Sequence, residues 1–93
     1  MAKYIVRIEK AARLDFQKIY KSGKKADIKK VEIILQELHL HPREGTGNPE
    51  RLRYKTGEFW SRELNKKDGI VYEIMGREVL VIVYQALGHY SDK

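Results

Sequence analysis

The pattern of the chain predicts an α+β domain of order βααββββ, a mainly antiparallel sheet packed against an N-terminal helical hairpin. Three observations carry the prediction. A short β-branched run is followed by two stretches with apolar residues at helical spacing. The second stretch stops at Pro42, and after a glycine-rich loop the rest reads as short apolar runs separated by turn residues. A chain of 93 residues is expected to form a single domain over 1–93 with one core of modest stability.

Each element has its own signal. Lys3 to Ile8 is rich in β-branched and aromatic residues, with Tyr4, Val6 and Ile8 on one face and Ile5 on the other, so it reads as the first strand. From Glu9 to Ser22 the period changes. Ala12, Phe16, Ile19 and Tyr20 form one helical stripe, and Gly23 supplies the left-handed residue that ends it. A second helix over Lys25 to His39 places Ile28, Val31, Leu35 and Leu38 on one face, widened by Ile34, with Lys29, Lys30, Glu32 and Glu37 outside. Beyond the loop Gly45-Thr46-Gly47-Asn48-Pro49, strands are expected at Arg51–Tyr54, Phe59–Asn65, Ile70–Met75 and Glu78–Ala86. Ile70 to Ile74 and Val79 to Tyr84 are apolar on both faces, which marks central strands covered on one side by the helices.

Composition narrows the function classes. With 19 Lys plus Arg against 13 Asp plus Glu, the net charge of +6 favours a polyanionic partner: nucleic acid, an acidic protein or an anionic membrane surface. The absence of cysteine excludes disulfides and thiolate metal sites. Tyr4-Ile5-Val6 is far too short an apolar run for a signal or a membrane span, so a cytoplasmic protein with no membrane partner is expected.

Several residues are candidates for chemistry. Glu50 follows Pro49 and precedes Arg51 and Arg53, which alternation puts on one face. A carboxylate held beside a cation can act as a general base, or it can be a solvated surface side chain in an ion pair worth about 0–1 kcal/mol. Arg62 shares a strand face with Trp60 and Leu64. It can clamp a phosphate while a ring stacks on a base, or it can snorkel over a core Trp60. His89-Tyr90 follows the last strand, where an imidazole can donate a proton at neutral pH and a phenol can orient a phosphate, or both can simply pack on the surface. Arg51, Arg53, Lys55, Lys66 and Lys67 supply basic surface for a phosphate backbone. His39 and His41, two apart, do not share a helical face and suit the helix C-terminal dipole. Neither a metal nor a cofactor is expected, and Gly45-Thr46-Gly47 is a flexible loop rather than a dinucleotide cradle because it does not extend to GxGxxG.

Taken together, Pro42, Gly45-x-Gly47-x-Pro49-Glu50-x-Leu52, Gly57-x-Phe59-Trp60-Ser61-Arg62, Val71-Tyr72 and Gly88-His89-Tyr90 resemble the Txe/YoeB branch of the RelE superfamily of bacterial toxin endoribonucleases. The likeness is strong from Pro42 to Tyr72 and at Gly88 to Tyr90, and topological over the first 41 residues. It implies a RelE-like fold and the toxin of a type II toxin-antitoxin system. Such toxins pair with an acidic antitoxin encoded by an adjacent gene in a hetero-oligomer, and when freed they cut mRNA in the ribosomal A site without a metal. By residue it implies Glu50 as general base, Arg53 (a lysine in the family) and Arg62 as phosphate-binding cations, His89 as general acid and Tyr90 as its neighbour.

The chain also departs from that pattern. Asp68-Gly69 stands where the family usually has His-Arg, so an expected catalytic arginine is missing and an anion sits beside its place. Ala86-Leu87 replaces a common Cys-Arg, leaving Lys66, Lys67 or Arg51 to compensate. Two alternatives follow: an RNA- or ribosome-binding homologue with weakened catalysis, and a same-fold toxin acting on a protein such as gyrase through Trp60 and the basic strand.

Overall fold

A computed structural model describes residues 3–53 and 56–88. The elements run β1 (Ile5–Ile8), α1 (Lys10–Ser22), α2 (Lys25–Leu40), β2 (Glu50–Arg51), β3 (Phe59–Glu63), β4 (Gly69–Met75), a 3₁₀ turn (Gly76–Glu78) and β5 (Leu80–Gln85). They form one five-stranded sheet in the order β1-β5-β4-β3-β2. β2 through β5 pair antiparallel, as the turn-rich meander predicts, whereas β1 pairs parallel with β5. The sheet is therefore mixed. The direction of β1 is set by contacts remote in sequence: the His39 carbonyl accepts the Lys3 and Tyr4 N–H groups, and Glu9 N–H donates to the Val83 carbonyl.

The helices lie on one face of the sheet. Ala12, Phe16 and Ile19 of α1 and Val31, Ile34 and Leu38 of α2 pack on Ile70, Tyr72, Ile74, Val81 and Val83, with Leu64 and Ala86 closing the core. Because successive side chains alternate across a strand, the register sorts residues by face. Trp60, Tyr72 and Val83 form a row on the helix side. One step along, Glu50, Ser61, Val71 and Gln85 form a row on the opposite face. A bulge between Val71 and Tyr72 leaves Tyr84 without a partner position in the ladder, which directs Tyr84 and Gln85 to that same open face.

Several boundaries differ from expectation. Tyr20 is 46% exposed, its hydroxyl donating to Glu32 of α2 at 3.4 Å rather than entering the core. Ile28 and Leu35 are only partly buried against it. β2 is two residues long, not four, so strand alternation does not reach Arg53; Tyr54 and Lys55 lie outside the described residues. Asn65 leaves β3 because its side-chain oxygen accepts the Lys67 and Asp68 N–H groups, closing an Asx turn that competes with the ladder. β5 starts at Leu80 because Val79 is left-handed, with φ 53°. No helix among the described residues is long and apolar enough to cross a membrane.

A β-branched residue in the left-handed region costs roughly 1–2 kcal/mol, and Val79 is exposed, so little packing is lost by replacing it. Val79→Asn should therefore raise the free energy of unfolding by about 0.5–1 kcal/mol, read as a higher urea midpoint at unchanged slope.

Candidate functional site

The loop that leads to Glu50 is held from inside the core. Arg62, on β3, is 0% exposed. A guanidinium carries five N–H donors, and each has an acceptor. Nε donates to the Tyr72 hydroxyl at 3.1 Å; one Nη donates to Glu37 Oε1 at 2.6 Å and the Thr46 carbonyl at 3.3 Å; the other donates to the His41 and Glu44 carbonyls at 3.0 and 2.8 Å. The Tyr72 hydroxyl in turn donates to the Pro42 carbonyl at 2.6 Å. Glu37 completes the knot by accepting the Thr46 N–H and hydroxyl, both at 2.8 Å. Burial pushes the Glu37 carboxyl up, but the bonds from Thr46 and Arg62 outweigh it and hold the group below its ordinary value.

This corrects two expectations. Arg62 neither snorkels nor faces a phosphate, because its donors are saturated within the protein. Glu37, placed by helical period on the solvent side of α2, is its counter-ion, since period alone does not reveal which polar position meets a folded-back loop.

The chain leaving this knot lies tightly on β3. The Gly47 carbonyl accepts the Glu63 N–H at 2.6 Å. Gly47 has φ 87°, and a Cβ there would sit 2.8 Å from the Glu63 carbonyl oxygen, so only glycine fits. Pro49 then delivers Glu50 to the sheet edge opposite Ser61, where its side chain is exposed on the open face. Beneath it Ser61 and Val71 are buried, and the Phe59 and Tyr84 rings lie 5.7 Å apart on the same face. The Tyr84 hydroxyl donates to Glu73 at 2.8 Å, and its phenol is pushed up to about 12 by burial and by that carboxylate.

The expected cations separate. Arg51 pairs with Trp60, one step from Glu50, and so leaves the opposite face; its charge helps hold Glu58 low there. The main cause of that lowering is Arg43, which binds Glu58 at 2.6 and 3.0 Å, while the Trp60 indole N–H donates to the same carboxylate at 3.1 Å. Arg53 is exposed in the turn after Leu52. Lys66 and Lys67 are exposed in the β3–β4 turn, flanking a depression of about 310 Å³ shared with Lys24, Asp27, Asn65 and Asp68.

At the other end of the Glu50 row, the segment after β5 is gripped by two carboxylates. Asp15 accepts the Ala86 and Leu87 N–H groups at 3.0 and 3.2 Å, and Asp68 accepts the Gly88 N–H at 2.9 Å. Nothing in the sequence singles out Asp15, and Asp68 reads there as a turn residue and an anion beside the place of the expected arginine. Gly69, in the place of the expected arginine, is buried opposite Glu63. His89, Tyr90 and Lys55 lie outside the described residues. His39 binds the Tyr4 carbonyl at 2.9 Å and His41 the Glu44 carbonyl at 3.0 Å. No group of three or more His, Asp or Glu among the described residues is arranged to hold a metal.

Two helices against a five-stranded mixed sheet are the architecture of RelE- and YoeB-type toxins. The YoeB/ParE toxin from Agrobacterium tumefaciens superposes with a TM-score of 0.78 at 21% identity, over 91% of this chain and 98% of that one. The YoeB–YefM complex from Staphylococcus aureus gives 0.71 at 26% identity, over 96% and 100%. In sequence, the toxin YoeB of Synechocystis sp. is 29% identical over 63 residues, 68% of this chain and 73% of that protein. The toxin YoeB of Escherichia coli K12 is 30% identical over 54 residues, 58% of this chain and 64% of that protein. The profile of the YoeB-like toxin of bacterial type II toxin-antitoxin systems matches residues 7–90. The chain belongs to that family and is the toxin of a type II toxin-antitoxin pair.

Removing one partner of a buried, hydrogen-bonded ion pair costs about 3–5 kcal/mol. Arg62→Met should lower the free energy of unfolding by that order in urea. The Glu37 carboxyl is held below its ordinary 4.5 in the folded protein, so its contribution is complete above that pH and is lost as pH falls through the lower folded value. Glu37→Gln should accordingly flatten the decline of Tm below pH 4.5, measured by thermal melts across pH.

Proposed function

We propose that this toxin is a ribosome-dependent mRNA endoribonuclease that halts translation by metal-free acid–base transfer. Glu50 takes the proton from a ribose 2′-OH, and the alkoxide attacks the adjacent phosphorus. The 5′ oxygen leaves with a proton from His89, beside Tyr90, giving 2′,3′-cyclic phosphate and 5′-OH ends. Arg53, Lys55, Lys66 and Lys67 bind the backbone and offset charge on the non-bridging oxygens. The observation that carries this reading is the exposure of Glu50 at the end of a loop fixed by Arg62, in the sheet row that ends at Gln85, three residues before Gly88. An acidic antitoxin is the proposed partner, supported by the net charge of +6 and by the YoeB–YefM complexes among the structural neighbours. Cytoplasmic residence follows from a ribosomal substrate.

A second reading, a homologue that binds RNA or the ribosome with weakened cleavage, is favoured by a specific observation. Gly69 and Leu87 offer no cation and Arg62 has no free donor, and one missing transition-state donor costs roughly 10²–10³ in rate.

Primer extension on mRNA in a cell-free translation reaction tests both. Glu50→Gln and His89→Ala should each lower cleavage by about 10²–10⁴ with the urea midpoint unchanged. Cleavage at the wild-type rate in both variants would refute the acid–base assignment. Salt-sensitive ribosome binding with no cut products from the wild type would establish the second reading.

A further inference from the structure

The grip on the segment after β5 goes beyond what chain termination requires. Ala86 is buried in the core and Leu87 packs against it, yet their N–H groups and that of Gly88 find no strand partner. Two carboxylates from distant elements capture all three, Asp15 from α1 and Asp68 from the β3–β4 turn. Bonds from peptide N–H to carboxylate are charge-assisted and directional. Asp68 is itself fixed: its N–H donates to Asn65 Oδ1 at 2.8 Å, and its carbonyl accepts the Leu64 and Asn65 N–H groups at 2.9 and 3.2 Å. Asn65 is in turn tied to Asp27 of α2 at 3.2 Å. The segment is thus referenced to both helices and to the turn that follows β3.

We infer that Asp15 and Asp68 are positioning residues for the proposed nuclease, clasping Ala86–Gly88, the stretch of chain that His89 directly follows in sequence. The inference rests on the reading of Glu50 and His89 as base and acid. It also accounts for Asp68, which, beside the buried Gly69, holds the length of chain that carries the acid instead of contacting the phosphate. Gly88 is exposed, so without Asp68 its N–H is solvated by water at little cost in stability, while the direction of the chain is lost. A misplacement of about 1 Å at a reacting group lowers rate up to about 10²-fold.

Asp68→Ala and Asp68→Asn separate position from stability, because the amide oxygen of Asn still accepts an N–H; Asp15→Asn is the matching control where the Ala86 and Leu87 N–H groups are held. On programmed ribosomes, Asp68→Ala should lower kcat by about 10- to 100-fold with KM unchanged, and Asp68→Asn should restore most of it. Amide hydrogen exchange at Gly88 should quicken in Asp68→Ala and not in Asp68→Asn. Unchanged kcat in Asp68→Ala, or Asp68→Asn as slow as Asp68→Ala, would overturn the positioning role. Unchanged exchange at Gly88 would overturn the clasp, whatever the kinetics. A wild-type toxin that leaves mRNA intact while Gly88 exchange still responds would overturn the nuclease reading, and with it the positioning of an acid.

Discussion

The interaction on which the rest of the structure depends is the buried contact of Arg62 with Glu37 and its surrounding carbonyls. An isolated guanidinium in an interior is costly to desolvate by several kcal/mol, and here the cost is met by five acceptors drawn from α2, β4 and the 41–46 loop. Four of the five lie far from β3 in sequence, so the charge is tolerated only when helix, sheet and loop are assembled together. No buried side-chain polar atom among the described residues lacks a partner. A loop rich in glycine, which composition alone reads as flexible, becomes a fixed arm that ends at Glu50.

That arm defines how the two faces of the sheet divide their duties. The helix side holds the core and, at the edge, the Arg43–Glu58–Trp60 network together with Arg51. The open side carries Glu50, the Phe59–Tyr84 ring pair and the row that leads to Gln85. A net charge of +6 does not by itself make a phosphate site. Arg62, Arg43 and Arg51 are committed to protein carboxylates or to the other face, whereas Arg53, Lys66 and Lys67 are exposed in turns.

Much of this is legible in the sequence because its signals are periodic and local. Ala12, Phe16 and Ile19 and then Val31, Ile34 and Leu38 declare two amphipathic helices, and the turn residues Lys66-Lys67-Asp68-Gly69 declare the central hairpin. The helix boundaries fall within about a residue of expectation for the same reason. What is not legible depends on tertiary contact. The parallel direction of β1 is decided by His39 and Val83, and the fate of Glu37 by a loop nine residues on. Arg62 misleads because a strand arginine between a tryptophan and a leucine has the same pattern whether its head emerges into water or is received by carbonyls. The roles of the Asp15 and Asp68 carboxylates carry no local signal, since they matter only to a backbone segment folded back from the end of the chain.

The central claim, that Arg62 is an internal anchor rather than a phosphate ligand, is tested most directly by NMR of its guanidinium protons in the free toxin and with a non-cleavable RNA oligonucleotide. A protected Arg62 Nε–H with slow solvent exchange, and no shift on adding RNA, is the predicted result. Rapid exchange in the free protein, together with a saturable shift as RNA is added, would contradict it.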